Sequence, residues 1–210
     1  MEALELNRTL AKEDFGRLLA ACYYQPEAHL AEEDVFGSLT RAAERLDPSL
    51  AEKARRLGEA FASESPDTLL LDYSRLFLGP FDILAKPYGS VWMEGEKVVM
   101  GDSTMAVLDL YREGGFDLDE NFREVPDHIA AELEFLYLLL FQENEARRSG
   151  DAKGAEKTSN LKRRFLQNHL GRWVAPFTEA MKNGADTAFY KTLAELTELF
   201  VEAEMQEGEE

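Results

Sequence analysis

The sequence predicts an all-α fold, a single-domain helical bundle of roughly eight to ten helices. Apolar residues recur at helical spacing along most of the 210 residues, as they do from Phe15 to Cys22. The capping residues Asp47 and Ser65 each stand directly before a proline, an order that opens a helix. The alternation of apolar and polar residues that is typical of strands is limited to residues 97–100.

The boundaries of the predicted helices follow from capping residues and helix breakers. In chain order the helices cover residues 12–24, 32–46, 47–62, 65–77, 104–112, 127–148, 153–170, 176–182 and 187–205. The breakers between or after them are Pro26, Gly79-Pro80, Gly114-Gly115, Gly150, Gly171 and Asn183-Gly184. Within the sixth helix, residues 133–141 are apolar nearly all round, which predicts that this helix is surrounded by the others.

Two segments lack helical periodicity and are predicted to be irregular loops, residues 79–101 and 114–126. A structureless loop of about 20 residues inside a compact domain is uncommon and usually has a function. The first loop is too apolar for a solvated linker, since it contains Tyr88, Val91 and Trp92. The acidic tail, residues 206–210, is predicted to fray.

The net charge is −18, from 23 basic and 41 acidic residues. Such a field repels phosphate backbones and attracts cationic partners, so nucleic-acid binding is not expected. The single cysteine, Cys22, fits a reducing compartment. The first residues carry no apolar signal segment, and no apolar run approaches the ~20 residues that span a bilayer. We therefore expect a cytoplasmic protein that is not embedded in a membrane.

The motifs of common enzyme classes are missing. The sequence contains no phosphate-binding glycine motif, no H-E-x-x-H and no nucleophile elbow. His128 and Glu132 are four residues apart on one helical face, with Glu124 and Asp127 just before them, and could form part of a metal site. Asp127 could also orient His128 as a general base, so a helical metal-dependent hydrolase centred on Asp127, His128 and Glu132 is one alternative. In the plainer interpretation Asp127 caps the long helix and His128 lies in its first turn. No metal and no cofactor is expected.

Two blocks of sequence motifs lie in and beside the predicted irregular loops. The first is Tyr73-x-x-Leu76-Phe77-x-Gly79-Pro80, followed by Ala85-Lys86-Pro87-Tyr88-Gly89-Ser90-Val91-Trp92 and Met100-Gly101. The second is Glu124-Val125-Pro126-Asp127-His128-Ile129, followed by Glu132-Leu133-Glu134-Phe135. In this order and spacing, over about a third of the chain, they resemble the TorD/DmsD family of cytoplasmic molybdoenzyme chaperones, which includes the NarJ-like proteins.

The resemblance implies an all-α redox-enzyme maturation chaperone without catalytic activity. Its partners would be the twin-arginine leader peptide and the apo form of a molybdopterin-containing oxidoreductase, with the cofactor-insertion machinery as a further candidate. The enzyme would be held until its cofactor is inserted and it is exported. The leader-binding residues implied by the family motifs are Tyr73, Leu76, Phe77, Pro80, Pro87, Tyr88, Trp92, Glu124, Pro126, Asp127 and His128.

The chemistry of a twin-arginine leader suits these residues. Carboxylates such as Glu124 and Asp127 can accept charge-assisted hydrogen bonds from arginine. Aromatic residues offer a face to the apolar part of the leader. Lys86 departs from the family, which often has a second proline there, and this bears on the charge of the pocket wall. The other alternative is a NarJ-like assembly chaperone for a reductase subunit without a leader.

Overall fold

The computed structural model describes residues 2–27, 29–79, 82–95, 99–118 and 124–207. Within these ranges the chain is helical and contains no strand, which confirms the predicted all-α class. The helices are α1 Glu2–Ala21, α2 His29–Glu32, α3 Val35–Glu44, α4 Pro48–Ser63, α5 Pro66–Tyr73, α6 Gly89–Glu94, α7 Asp102–Gly114, α8 Ile129–Ser149, α9 Ala152–Phe165, α10 Gly171–Gly184 and α11 Ala188–Glu207. Two π-helical turns, Ser74–Leu78 and Leu166–Leu170, follow α5 and α9.

The two predicted caps have the expected geometry. Asp47 accepts a hydrogen bond from the backbone N–H of Ser49 at 2.8 Å at the start of α4. The hydroxyl of Ser65 accepts one from the N–H of Thr68 at 3.2 Å at the start of α5. Each cap satisfies an amide that the first turn of a helix leaves unpaired.

Helix α1 begins about ten residues earlier than predicted, at Glu2 rather than near Lys12. Its amino-terminal half is held by packing and by charge, since Ala11 is fully buried and the Lys12 ammonium lies 2.8 Å from Glu204 Oε1. The side chains of Lys12 and Glu204 are both almost inaccessible to solvent. A lysine on a buried face conceals the helical periodicity in the sequence.

The predicted helix 32–46 corresponds to α3, and the short helix α2 precedes it and ends at Glu32. The break between α2 and α3 occurs at Asp34, which has φ 52° and therefore lies in the left-handed region. Aspartate adopts this conformation more readily than most residues. Its carboxylate pairs with Arg41, two helical turns later, at 2.8 Å.

The predicted irregular segment 79–101 contains the short helix α6. The first turn of α6 is capped by the side chain of Asp127, which lies outside the segment, so local sequence could not indicate this helix. Residues 99–100 are not in a strand, and residues 96–98 lie outside the described ranges. In the second predicted loop, 114–126, residues 116–118 and 124–126 are not helical, and residues 119–123 lie outside the described ranges.

Gly171 was expected to separate two helices, the second of which would begin at Pro176, and this expectation was wrong. Helix α10 begins at Gly171 directly after a π-helical turn, and Pro176 lies inside it. A Cβ atom at Gly171 would clash with Met205 of α11, so glycine is needed here for close packing. Pro176 is exposed, as is Arg172 one turn earlier, so solvent can satisfy the carbonyl that loses its donor.

The core places α8 against α1 and α9, and α11 against α4 and α10. As predicted, the apolar stretch of α8 is largely buried, with Leu133, Phe135 and Leu139 fully so. None of the helices in the described ranges is long and apolar enough to cross a membrane. Helix α11 continues to Glu207, which contacts Arg8 at 2.7 Å, so residues 206 and 207 of the predicted frayed tail are helical. Residues 208–210 lie outside the described ranges.

Candidate functional site

The two motif blocks lie side by side, although 22 residues separate Gly101 at the end of the first from Glu124 at the start of the second. Tyr88 and His128 form an isolated antiparallel bridge. The carbonyl of Pro87 accepts the N–H of Ile129 at 2.9 Å, and the N–H of Gly89 donates to the carbonyl of Asp127 at 2.9 Å. The start of α6 and the start of α8 are therefore fixed to each other by backbone hydrogen bonds.

The side chain of Asp127 caps α6 rather than α8, which corrects the interpretation made from the sequence. Its Oδ2 atom accepts the backbone N–H of Ser90 at 2.6 Å. The cap of α8 is His128, whose Nδ1 atom accepts the N–H of Ala130 at 3.1 Å. Asp127 is fully buried and His128 nearly so, which gives both a supporting position inside the fold.

Burial lowers the pKa of His128 to about 4, against the opposing fields of Glu124 and Asp127. The imidazole is therefore neutral at physiological pH, as an Nδ1 atom that accepts a hydrogen bond must be. The ring of Tyr88 meets it edge-on, with the centroids 5.6 Å apart. The His128 ring therefore packs against the ring of Tyr88.

The exposed side of this junction carries two tyrosine–carboxylate pairs. Tyr88 donates its hydroxyl to Glu124 Oε2 at 2.8 Å, and Tyr24 donates to Glu134 Oε1 at 2.5 Å. Tyr73 lies near enough to both tyrosines to influence their pKa values. We call these five residues, Tyr24, Tyr73, Tyr88, Glu124 and Glu134, the tyrosine–carboxylate surface.

The tyrosines of this surface remain donors at neutral pH. Burial, followed by the hydrogen bond to Glu124, raises the pKa of Tyr88. Burial and the bond to Glu134 do the same for the pKa of Tyr24. Burial also raises the pKa of Glu134, while the Tyr24 hydroxyl stabilises its anion and opposes that shift. Each carboxylate has one oxygen in a tyrosine bond and a second oxygen with which it can accept another donor.

The other predicted site residues lie around or beneath this surface. Leu76, Phe77 and Pro87 are buried. Trp92 is half-buried, and its indole N–H donates to the carbonyl of Lys86 at 2.8 Å. The carbonyl of Pro126 accepts the hydroxyl of the buried Tyr111 at 2.9 Å. Pro80, which the family motif also marks, lies outside the described residues.

A buried polar cluster lies below α6. Oε2 of Glu132 is 3.0 Å from Nδ1 of His169 and accepts the indole N–H of Trp173 at 3.1 Å. Nε2 of His169 lies 3.0 Å from the carbonyl of Ser103 at the start of α7. A Cβ atom on Gly89 would be only 3.0 Å from the indole nitrogen and 3.2 Å from Oε1 of Glu132, so α6 rests directly on this cluster.

The hydrogen bonds of His169 determine where its protons lie. A carbonyl oxygen only accepts, so Nε2 must carry a proton that it donates to Ser103. The remaining proton is shared between Nδ1 and Glu132. Burial would lower the pKa of His169, but the fields of Glu132 and its hydrogen bond outweigh burial and raise it. Burial raises the pKa of Glu132, with His169 and Trp173 opposing.

This arrangement differs from the metal or general-base site suggested by the sequence. The Glu132 carboxylate bonds to His169 and Trp173 instead of joining His128. Across the described ranges, no three acidic, histidine or cysteine residues are grouped so that they could hold a metal ion.

Several residues of the site could not be found by reading the motifs alone. Tyr24 lies 110 residues from Glu134 in sequence, and His169 lies 37 residues from Glu132. Glu134 lies in the second motif block, two residues after Glu132. Because residues two apart on a helix do not share a face, this spacing indicated that Glu134 and the buried Glu132 face different sides of α8.

Comparison with known proteins identifies relatives of the whole chain. The family model described as nitrate reductase delta subunit matches residues 43–179. The Tat proofreading chaperone DmsD of Salmonella typhi is 30% identical over 194 residues, which cover 90% of this chain and 88% of that protein. The perchlorate reductase assembly chaperone protein of Dechloromonas aromatica is 29% identical, with 96% and 92% covered.

The fold also has a solved counterpart. The crystal structure of a putative redox enzyme maturation protein from Archaeoglobus fulgidus superposes with a TM-score of 0.57. It is 21% identical in sequence, and the match covers 90% of this chain and 93% of that one. At this level of identity the likeness concerns the fold alone.

Proposed function

Because the chain belongs to the nitrate reductase delta subunit family, we propose that this redox-enzyme maturation chaperone binds the twin-arginine leader of a molybdopterin-containing oxidoreductase. It holds the apo enzyme until the cofactor is inserted and the enzyme is exported. It is a chaperone and not an enzyme, as its relatives among the proofreading and assembly chaperones are. We place its action in the cytoplasm, where such clients are completed.

The observation that carries the leader proposal is the pair of tyrosine-bound carboxylates, Glu124 and Glu134. A leader of this class presents two adjacent arginines, and each guanidinium forms its strongest hydrogen bonds with a carboxylate. The tyrosine hydroxyls fix one oxygen of each carboxylate and so orient the other. Orientation before binding reduces the entropy that association costs.

The surroundings of the two carboxylates favour a cationic ligand. The protein carries a net charge of −18, which raises the rate of encounter with positively charged peptides. Tyr73 and Tyr88 are partly exposed, and their rings can stack on a guanidinium plane. The buried members of the predicted set, such as Leu76, Asp127 and His128, support this proposal by holding the segments that carry the surface.

A second function is favoured by the description of the matching family. A delta subunit of nitrate reductase suggests an assembly chaperone whose client is a reductase subunit without an exported leader. The same surface would then bind a cationic segment of that subunit. The two functions differ in one measurable respect, whether an isolated twin-arginine leader peptide is sufficient for binding.

Calorimetric titration with synthetic twin-arginine leader peptides of molybdoenzymes tests the proposal. We expect binding, and we expect that replacing both arginines with glutamine weakens it by about tenfold or more, since a charged hydrogen bond contributes about 1.5–3 kcal/mol. Glu124→Gln combined with Glu134→Gln should weaken it likewise.

A matched control separates local contact from the general field of the protein. Glu52→Gln combined with Glu156→Gln removes the same charge from exposed positions on α4 and α9. This control should change the affinity little at physiological salt, where the Debye length is about 8 Å. Equal losses from both double variants, or no binding of any leader by the native protein, would contradict the proposal.

A further inference from the structure

An apolar groove opens beside the tyrosine–carboxylate surface. It has a volume of about 470 Å³ and lies between α1, the α2–α3 segment and α8, with Phe116 closing one side. This volume is within the range of ~300–1,000 Å³ that is usual for specific ligand sites. Neither motif block predicts the groove, because most of its lining comes from other parts of the chain.

We propose that this groove binds the apolar stretch that follows the arginine pair in the leader, and that it selects leaders by that stretch. The inference rests on the proposed function, because it assumes that the arginines bind at the tyrosine–carboxylate surface. It goes further by assigning a second subsite to residues outside the two motif blocks.

The composition of the groove fits an uncharged, apolar occupant. Its floor is formed by Leu18, Leu30 and Val35, which are all buried. Ala21 and Leu138 are half-buried and form part of its walls. An apolar segment that covers these side chains removes hydrocarbon from water on both partners, which is the main source of favourable free energy in association.

Three charged residues line the groove. Arg17 and Glu33 are exposed, and Glu134 is half-buried. Glu134 is the member that the groove and the tyrosine–carboxylate surface share, together with Tyr24. The groove is therefore continuous with the proposed arginine site, and an arginine bound at Glu134 leaves the neighbouring part of its chain over the apolar floor.

The position of the carboxylate next to the apolar groove indicates a leader peptide as the ligand. A leader has a cationic start and an apolar middle in one short segment, and the protein presents a carboxylate and an apolar groove side by side. An apolar segment entering an existing groove can bind as a helix, with its apolar face towards the protein.

The test fills the groove and measures which peptides still bind. Ala21→Phe places a ring in the groove from α1, and Ser38→Phe does so from α3, so the result does not depend on one variant folding. The matched control is Ala203→Phe, a half-buried position on α11 that lines a separate groove near Asp47. Thermal denaturation verifies that each variant is folded.

Three peptides are titrated: a native leader, the leader with its apolar stretch changed to serine, and the leader with both arginines changed to glutamine. The native protein should prefer the native leader over the serine peptide by about tenfold. A folded groove-filling variant should lose that preference and keep its sensitivity to the arginines, while Ala203→Phe should behave as the native protein does.

The outcomes separate this inference from the function on which it rests. If no leader binds the native protein, the proposed function fails. A second outcome is that the native protein binds the glutamine-substituted leader more weakly than the native leader while both groove-filling variants keep the full preference for an apolar stretch. In that case the groove inference is overturned and the proposed function stands. If filling the groove changes only self-association in light scattering, the occupant is a second copy of the chain and the inference is again overturned.

Discussion

The carboxylate of Asp127 accepts the backbone N–H of Ser90 at 2.6 Å inside the fold, across 37 residues of sequence. This contact joins the first motif block to the second. It divides the motif residues into a buried layer, which fixes the two segments, and an exposed layer, which carries Tyr73, Tyr88 and Glu124.

Asp127→Ala should destabilise the protein, because it leaves the amide of Ser90 buried without an acceptor. The expected loss is about 1–3 kcal/mol in the free energy of unfolding. For a chain of this length that corresponds to a decrease in Tm of about 2–4 °C for each kcal/mol. Chemical denaturation measures it directly.

Asp127→Asn is the control for this prediction, since its amide oxygen can still accept the Ser90 N–H. It should lose less stability than Asp127→Ala. Equal stability of Asp127→Ala and the native protein would show that the hydrogen bond to Ser90 does not hold the segment.

Gly89→Ala should destabilise the protein although alanine is the better helix former. The added Cβ would be 3.0 Å from the Trp173 indole nitrogen and 3.2 Å from Glu132 Oε1, both closer than ordinary contact. Overpacking of this kind costs about 1–3 kcal/mol. The comparison is Gly16→Ala in α1, where the nearest atoms are 3.7 Å away and a stabilisation of about 0.4–1 kcal/mol is expected. The same sign of change for both variants would contradict the packing described for α6.

His128 should make the stability rise with pH between about 4 and 6.5. Its pKa is about 4 in the folded protein and 6.5 without the fold, so in this interval the unfolded state binds more protons. The contribution is present above pH 6.5 and is lost as the pH falls. His128→Asn keeps a capping side chain for α8 but does not titrate, so denaturation at several pH values should show a smaller slope for the variant. Parallel stability curves would be evidence against a neutral, buried imidazole.

His169 should make the stability fall as the pH rises above its ordinary pKa of 6.5, because Glu132 raises the pKa of His169 in the folded protein. The folded state then holds a proton that the unfolded state has released. The contribution to stability is complete below pH 6.5 and is lost as the pH rises through the folded pKa. Native protein should therefore lose more stability on going from pH 6.5 to pH 8 than the double variant His169→Gln with Glu132→Gln, in which neither group of the pair titrates. A steeper decline in the variant would show that the folded protein does not hold an extra proton on His169.

Local signals predicted the parts of the fold that depend on neighbours in sequence. Asp47 and Ser65 identified the starts of α4 and α5 because a cap acts within three residues. Gly171 was interpreted as a helix end, and it is instead a contact point with Met205 of another helix. A glycine that serves packing and one that ends a helix look the same in a single sequence.

The site shows the same division. The motif blocks predicted which segments form the candidate site, and Tyr88 with Glu124 is a contact between them. The sequence could not show that Asp127 turns inward to α6 or that Tyr24 completes the surface through Glu134. Both depend on helix packing between residues that are distant in the chain.

A double-mutant cycle between protein and peptide tests the central claim most directly. Leader affinity is measured for native protein and Glu124→Gln, each with the native leader and with each arginine changed singly to glutamine, and the set is repeated with Glu134→Gln. Direct pairing predicts that each carboxylate is coupled to one arginine by about 1–3 kcal/mol, so that its loss matters little once that arginine is gone. Additive effects within about 0.5 kcal/mol for every combination would contradict recognition of the arginine pair by Glu124 and Glu134.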